Sequence, residues 1–140
     1  MLNENVSSLF IIKNALLASR LSKRVGNCLS VHGISLTEYI VMHCLSYDFH
    51  QGVSRVALAD HLGMSASGVT RLLMPMEKNK VIETTKNPRD SRQSLVKLSA
   101  TGQRLFEEAR DSFSHIASDL TSNLSQNQLE KLAELYTKVI

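Results

Sequence analysis

The residues whose types and spacing point to chemistry lie in the middle of the chain. Ser65, Ser67, Thr70 and Arg71 stand together, Lys78 follows on the same periodicity, and Arg89-Asp90-Ser91-Arg92 forms a charged run further on. Hydroxyls and a guanidinium at helical spacing make a surface for a phosphate-lined groove. Short side chains there reach base edges, and a helix N-terminus directs free N–H groups at phosphate. Arg71 is the one residue of this group able to contact guanine or a phosphate with two parallel hydrogen bonds. Ala66 and Gly68 beside it are small enough to permit close approach. Asp90 looks misplaced opposite a polyanion; its expected role is to hold Arg92 in one rotamer, which lowers the entropy lost when the guanidinium inserts. The plain alternatives are a polar two-helix hairpin and a solvated, flexible turn.

Cys28 lies four residues after Arg24 and four before His32, so a continuous helix would group all three and give Cys28 positive neighbours that favour oxidation. The alternative for Cys28 is a buried, inert small hydrophobe. Cys28 and His32 also have the spacing of a metal-ligand pair, but no matched second pair is visible, so no metal site is expected. The five histidines are scattered through the sequence. Nothing resembles a phosphate-cradling glycine loop, a nucleophile with a placed base, or paired catalytic carboxylates, so neither catalysis nor a cofactor is expected.

The chain of 140 residues is most simply one domain, and its 43% hydrophobic and 21% charged composition suits a globular fold. Only two cysteines, Cys28 and Cys44, are present, which points to a reducing cytoplasm over a disulfide scaffold. The longest apolar run, Leu9 to Ile12, stops at Lys13 and is far short of the roughly 18 residues a membrane span needs. The stretch Met1-Leu2-Asn3-Glu4-Asn5 lacks the basic start of a secretory signal. A net charge of +3 hides an uneven distribution: residues 65–104 carry +5 and the remainder −2. A basic middle between mildly acidic ends fits a face built for a polyanion.

Helical periodicity runs from about Val6 to Leu29, and Gly33 breaks it. Ser35-Leu36-Thr37-Glu38 reads as a capping box opening a second helix that ends near Asp48. Ser54 caps a short third helix, Arg55 to Leu62; Gly63 closes it, and Ser65 caps a fourth running to about Asn79. Ala59 at the crossing, Gly63 in the turn and Val69, Leu72, Leu73 and Met76 as the plug describe a helix-turn-helix. Val81–Thr85 and Leu95–Leu98 read as two short strands, with Lys86–Ser94 as a long basic tip between them. A long helix follows Ser99, and Ser125 opens a last one expected to bury Leu129, Leu132, Tyr136, Val139 and Ile140. With Leu9, Phe10 and Ile12, those last residues are too apolar for a small monomer to hide, which points to a second copy of the chain.

From Leu58 through Gly102 the sequence resembles the winged helix-turn-helix of the MarR family of bacterial transcriptional regulators. The residues that carry the resemblance are Leu58-Ala59, Leu62-Gly63, Val69-Thr70-Arg71, Met76-Glu77-Lys78, Val81-Ile82, Asp90-Ser91-Arg92 and Leu98-Ser99 with Gly102. The resemblance implies a mainly α (α+β) single domain over residues 1–140. Its winged helix-turn-helix would span about 53–98, and helices at about 6–30 and 100–140 would form a dimerisation lobe. It also implies a homodimer on pseudo-palindromic double-stranded DNA, usually a repressor, with Ser65, Ser67, Thr70 and Arg71 in the major groove. Arg92, set by Asp90, would reach the minor groove, with Lys78 and Arg89 completing the basic surface. A small aromatic or other apolar effector is implied between the two lobes, where Arg20, Tyr39 and His43 are the polar residues nominated to hold it. Two departures stand out: Lys80 occupies a position where the family usually has glycine, and Pro75 lies inside the recognition helix. A thiol sensor of the same fold and a protein-interaction winged helix are the alternatives.

Overall fold

The computed structural model describes residues 3–140. Met1 and Leu2, the start of the stretch read above against a secretory signal, lie outside the described residues. Six α-helices and a two-stranded antiparallel hairpin follow one another in the chain: α1 Val6–Leu29, α2 Leu36–Tyr47, α3 Arg55–Leu62, α4 Ala66–Lys78, β1 Ile82–Asn87, β2 Asp90–Leu98, α5 Ala100–Leu120 and α6 Gln126–Tyr136. Among the described residues no single helix is long and apolar enough to cross a membrane.

Capping serines open five of the six helices. Ser35, Ser54, Ser65, Ser99 and Ser125 each accept a hydrogen bond from a free N–H in the first turn, and Asn5 does so for α1. Capping boxes are complete at Ser35–Glu38 and Ser125–Gln128. Gly26 does not interrupt α1, which runs on to Leu29 before a single 3-10 turn ends at Gly33 in the left-handed region, φ 74°. Gly63, φ 66°, turns α3 into α4 in the same way, and Ala59 is buried at the crossing. Leu58, Val69, Leu73, Val96 and Phe106 are fully buried and join the helix-turn-helix, the hairpin base and α5 in one core.

The hairpin differs from the sequence reading. Its strands run two residues further on β1 and five further back on β2, so the tip is the turn at Pro88-Arg89 and not a loop from Lys86 to Ser94. Strand pairing is a backbone property, and this part of the hairpin is solvated on both faces, so no apolar alternation marks its extent. The register shifts between Lys86 and Asn87, leaving Ser91, Arg92 and Gln93 out of the one-to-one pairing. Such a bulge re-aims the side chains it carries. At its other end the hairpin is tied to the segment before α3, where Val53 and Val96 exchange backbone hydrogen bonds of 3.0 and 2.7 Å.

The hairpin base, α4 and α5 meet at a tight junction. Lys80 takes up a left-handed conformation, φ 60°, which is the geometry glycine would adopt; the departure from the family pattern therefore leaves the turn in place at a cost in strain. The next residue, Val81, presents its carbonyl to Ser99, which donates to it from both its N–H (3.0 Å) and its hydroxyl (2.9 Å). The Ser99 hydroxyl oxygen also accepts from the Gly102 N–H at 2.9 Å. Gly102 is buried where a Cβ would run into the Val81 carbonyl oxygen and lie 2.9 Å from Leu98 Cδ1. The spacing of Ser99 and Gly102 is thus the condition for β1 to cross the start of α5 at backbone contact.

The terminal helices lean on each other through Phe10 and Tyr136, whose hydroxyl donates to Asn14 Oδ1 at 2.7 Å. In the single chain they bury little. No residue of α6 is buried; the helix stops at Tyr136, and Val139 and Ile140 are 59% and 96% exposed. Leu129 and Tyr136 are half-buried and Leu132, Val139 and Ile140 stay exposed, as expected of residues that a small monomer cannot hide; α1 alone covers only part of the α6 face. Phe10, Leu132, Leu135 and Val139 are exposed and, with Tyr136, line an apolar groove of about 470 Å³; Ile12 and Leu16 of α1 are exposed as well.

Gly102→Ala is expected to destabilise the fold by about 2–3 kcal/mol in urea unfolding, because the added methyl meets the Val81 backbone carbonyl, which cannot give way. Lys80→Gly is expected to stabilise it by about 0.5–1 kcal/mol: relief of left-handed strain exceeds the added entropy of the unfolded chain.

Candidate nucleic-acid interface

α4 turns one face inward through Val69, Leu73 and Met76 and leaves Ser67, Thr70, Arg71 and Lys78 exposed on the other. Met74, 61% exposed, lies along the same stripe and was not singled out from the sequence; its i+3 spacing from Arg71 was the signal. Ser65 has a different place from its three neighbours, since its hydroxyl oxygen accepts the Gly68 N–H at 3.1 Å and lies 3.3 Å from the Ser67 hydroxyl. It opens the helix and steadies Ser67. The one carboxylate on α4, Glu77, is turned away from this surface: it pairs with Arg55 of α3 at 3.6 Å and accepts from the Thr84 hydroxyl of β1 at 3.2 Å. Among the described residues Arg71 and Lys78 have no ion-pair partner. α4 continues through Pro75, which is exposed and removes one backbone donor without ending the helix.

At the hairpin tip, Asn87 Oδ1 accepts the Arg89 N–H at 2.9 Å while its amide donates to Gln93 Oε1 at 2.7 Å. Asp90 Oδ1 accepts from both the backbone N–H of Arg92 (3.1 Å) and its Nε (3.2 Å). The carboxylate is thereby engaged on the Nε side of the guanidinium, and the Arg92 side chain remains 91% exposed. Exposed ion pairs contribute little to stability, so the value of this one lies in direction: it sets one rotamer of a cation that projects from a bulge. Arg89 is exposed beside it.

The nominated effector residues are only partly brought together. Tyr39 and His43 line a surface recess of about 280 Å³ with Tyr47, Phe106 and Phe113. Arg20 is exposed on α1 and is not part of the lining; the guanidinium at this recess is that of Arg110, donating to the Tyr47 hydroxyl at 3.1 Å. Arg110 follows Phe106 by four residues on α5, a spacing that placed it within reach of the same rings. Tyr39 is buried and stacked on Phe113 with centroids 4.2 Å apart, and burial pushes its phenol above the ordinary range. A larger cleft of about 500 Å³ opens where the turn after α1 meets the end of α4 and the start of α5. Ile34, Met76, Val81 and Leu105 supply apolar walls, and Arg104, Glu38 and Glu108 charged ones of both signs.

The two thiols differ. Cys44 is buried, and burial together with the nearby Asp48 carboxylate pushes it up, which removes it as an exposed, acidic oxidation sensor. Cys28 is half-buried, 3.7 Å from the Ser112 carbonyl oxygen, while His32 Nε2 meets the Ser112 hydroxyl at 2.9 Å. The grouping of Cys28 with His32 thus occurs through α5.

Solved structures share this architecture along nearly the whole chain. BldR from Sulfolobus solfataricus superposes with a TM-score of 0.87 at 18% identity, over 99% of this chain and 97% of that one. A mutant E. coli MarR complexed with operator DNA gives 0.79 at 22% identity, over 98% and 99%. The S. aureus MepR–DNA complex gives 0.78 at 21% identity, over 96% and 94%. No curated protein sequence is similar enough to count as a relative. The family model described as transcriptional regulator SarA/Rot matches residues 23–109, from the second half of α1 through the helix-turn-helix and wing into α5. With that match over more than half its length, the chain belongs to the SarA/Rot family of transcriptional regulators, a family not of enzymes, and carries the MarR-type winged-helix fold.

Proposed function

We propose that the protein is a homodimeric, sequence-specific double-stranded DNA-binding repressor. The observation that carries this reading is the pairing of two cationic elements: the exposed α4 face with unpartnered Arg71, and the wing tip whose Arg92 is set by Asp90. Ser67, Thr70 and Arg71 read base edges in the major groove, with Ser65 presenting the helix start. Arg92 and Arg89 take the adjacent minor groove, and Lys78 a phosphate. The two fold relatives solved with DNA support this partner. In this reading residues 1–140 act as one domain, with the winged unit at about 53–98 and the terminal helices paired with those of a second chain. The exposed apolar surface on α1 and α6 supports that pairing. A two-fold dimer places its recognition helices about 34 Å apart, one DNA turn, so a pseudo-palindromic operator follows. Such a DNA partner goes with a cytoplasmic location.

Release by a small apolar or aromatic anion is the regulatory part of the proposal. The cleft at Arg104 touches both α5 and the Asn79–Val81 turn that aims the wing, so a ligand there acts on the pose of the DNA-binding surface. Titrating aromatic carboxylates against the DNA complex is expected to release the protein, and Arg104→Ala is expected to abolish the release. Release at unchanged ligand concentration in that variant would remove the cleft from the account.

Arg71→Ala is expected to weaken operator binding by about 1–3 kcal/mol and to relax the choice of base at one position. Arg92→Ala is expected to lower affinity evenly across sequences and to flatten the salt dependence of log K by about one unit. Binding titrations at several salt concentrations separate the two. Parent-like binding by both variants, or weak binding by the parent without sequence preference, would favour a protein-interaction module instead.

A further inference from the structure

We infer that His43, Cys44 and Asp48 form a binding site for a zinc-class divalent metal, with His61 positioning Asp48. The three residues occupy the last turn of α2 and its C-cap, and one ligand atom from each lies within 4.8 Å of the other two. Cys44 and Asp48 are four apart and share a helix face; His43 precedes Cys44 and reaches the same spot from the side. The sequence holds no second Cys–His pair at ligand spacing, and its histidines are scattered. A contiguous His-Cys followed by a capping Asp has no such signature, and only the fold closes it.

An imidazole nitrogen, a thiolate and a carboxylate together select zinc or its neighbours over magnesium or calcium, which take oxygen ligands. Zinc bonded at about 2.0–2.3 Å needs its ligand atoms closer than they stand here. His43 and Asp48 are exposed and able to rotate inward, whereas Cys44 is buried beneath them and supplies a fixed floor. On binding, the Cys44 S–H bond breaks, its proton passes to water, and an Sγ–metal bond forms with no change of oxidation state. Three protein ligands leave a fourth tetrahedral position to water.

His61 reaches this site from a different element. It comes from α3, and its Nε2 lies 3.8 Å from Asp48 Oδ2. Its ring is held edge-on against Phe49, with centroids 5.2 Å apart and planes at 86°. An imidazole facing a ligating carboxylate orients it for the metal. The site therefore links the end of α2 to the first helix of the helix-turn-helix.

The test is a titration of the reduced, full-length protein with Co²⁺ as a spectroscopic probe, followed by Zn²⁺. The expected result is a thiolate-to-cobalt charge-transfer band that saturates at one metal per chain and is bleached by zinc. Cys44→Ser is expected to lose the band and Cys28→Ser to keep it. His43→Ala and Asp48→Asn, both exposed positions that do not endanger folding, are each expected to weaken zinc binding at least about tenfold, and His61→Ala by about tenfold. Absence of the band in the parent, its loss in Cys28→Ser, or parent-like zinc affinity in both His43→Ala and Asp48→Asn would each overturn the assignment.

Discussion

The contact between the Val81 carbonyl and the first turn of α5 is the constraint on which the placing of the wing beside α4 depends. β1 can leave α4 and cross α5 only because Gly102 has no side chain there, and Ser99 fastens the crossing with hydrogen bonds to the Val81 carbonyl and the Gly102 N–H. Lys80 completes the turn in a conformation that lysine adopts only under strain. The wing is a two-stranded hairpin, which is marginal by itself, so its direction must come from its base. The junction below and the Val53–Val96 pairing supply it. A fixed base and a bulged tip together set the direction in which Arg92 projects.

The polar residues around the surface divide their work in a way that charge totals do not reveal. Glu77 and Asp90 are both carboxylates beside the face proposed to meet DNA. Glu77 is withdrawn into contacts with Arg55 and Thr84, where it joins α3, α4 and β1; Asp90 stays at the tip and sets Arg92. Neither pair adds much stability at the surface. Their effect is to leave Arg71 unopposed and Arg92 preordered, so that less conformational entropy is lost on binding.

The helices, their caps and the helix-turn-helix were legible in the sequence because the signals are local: a serine oxygen three residues from the N–H it accepts, a glycine at a left-handed turn, apolar residues at steps of three and four. The Asp90–Arg92 contact was legible for the same reason. The length of the strands was not, since a hairpin solvated on both faces needs no alternation. The identity of the arginine at the aromatic recess was also hidden: Arg20 and Arg110 are both polar members of amphipathic helices, and only packing shows that Arg110 joins Tyr47. The His43, Cys44 and Asp48 cluster was hidden because an adjacent His-Cys followed by a capping Asp has no ligand-pair spacing, and only the fold brings the three together. The exposure of α6 in one chain was legible, because its apolar residues exceed what a small monomer can hide.

Selection of bound duplexes from a random pool tests the central claim most directly, because sequence preference and two-fold symmetry appear in one experiment. The account predicts an enriched pseudo-palindrome whose half-sites are centred about one helical turn, roughly 34 Å, apart. A pool that shows no enrichment at low salt, or that yields a single unpaired half-site, would contradict it.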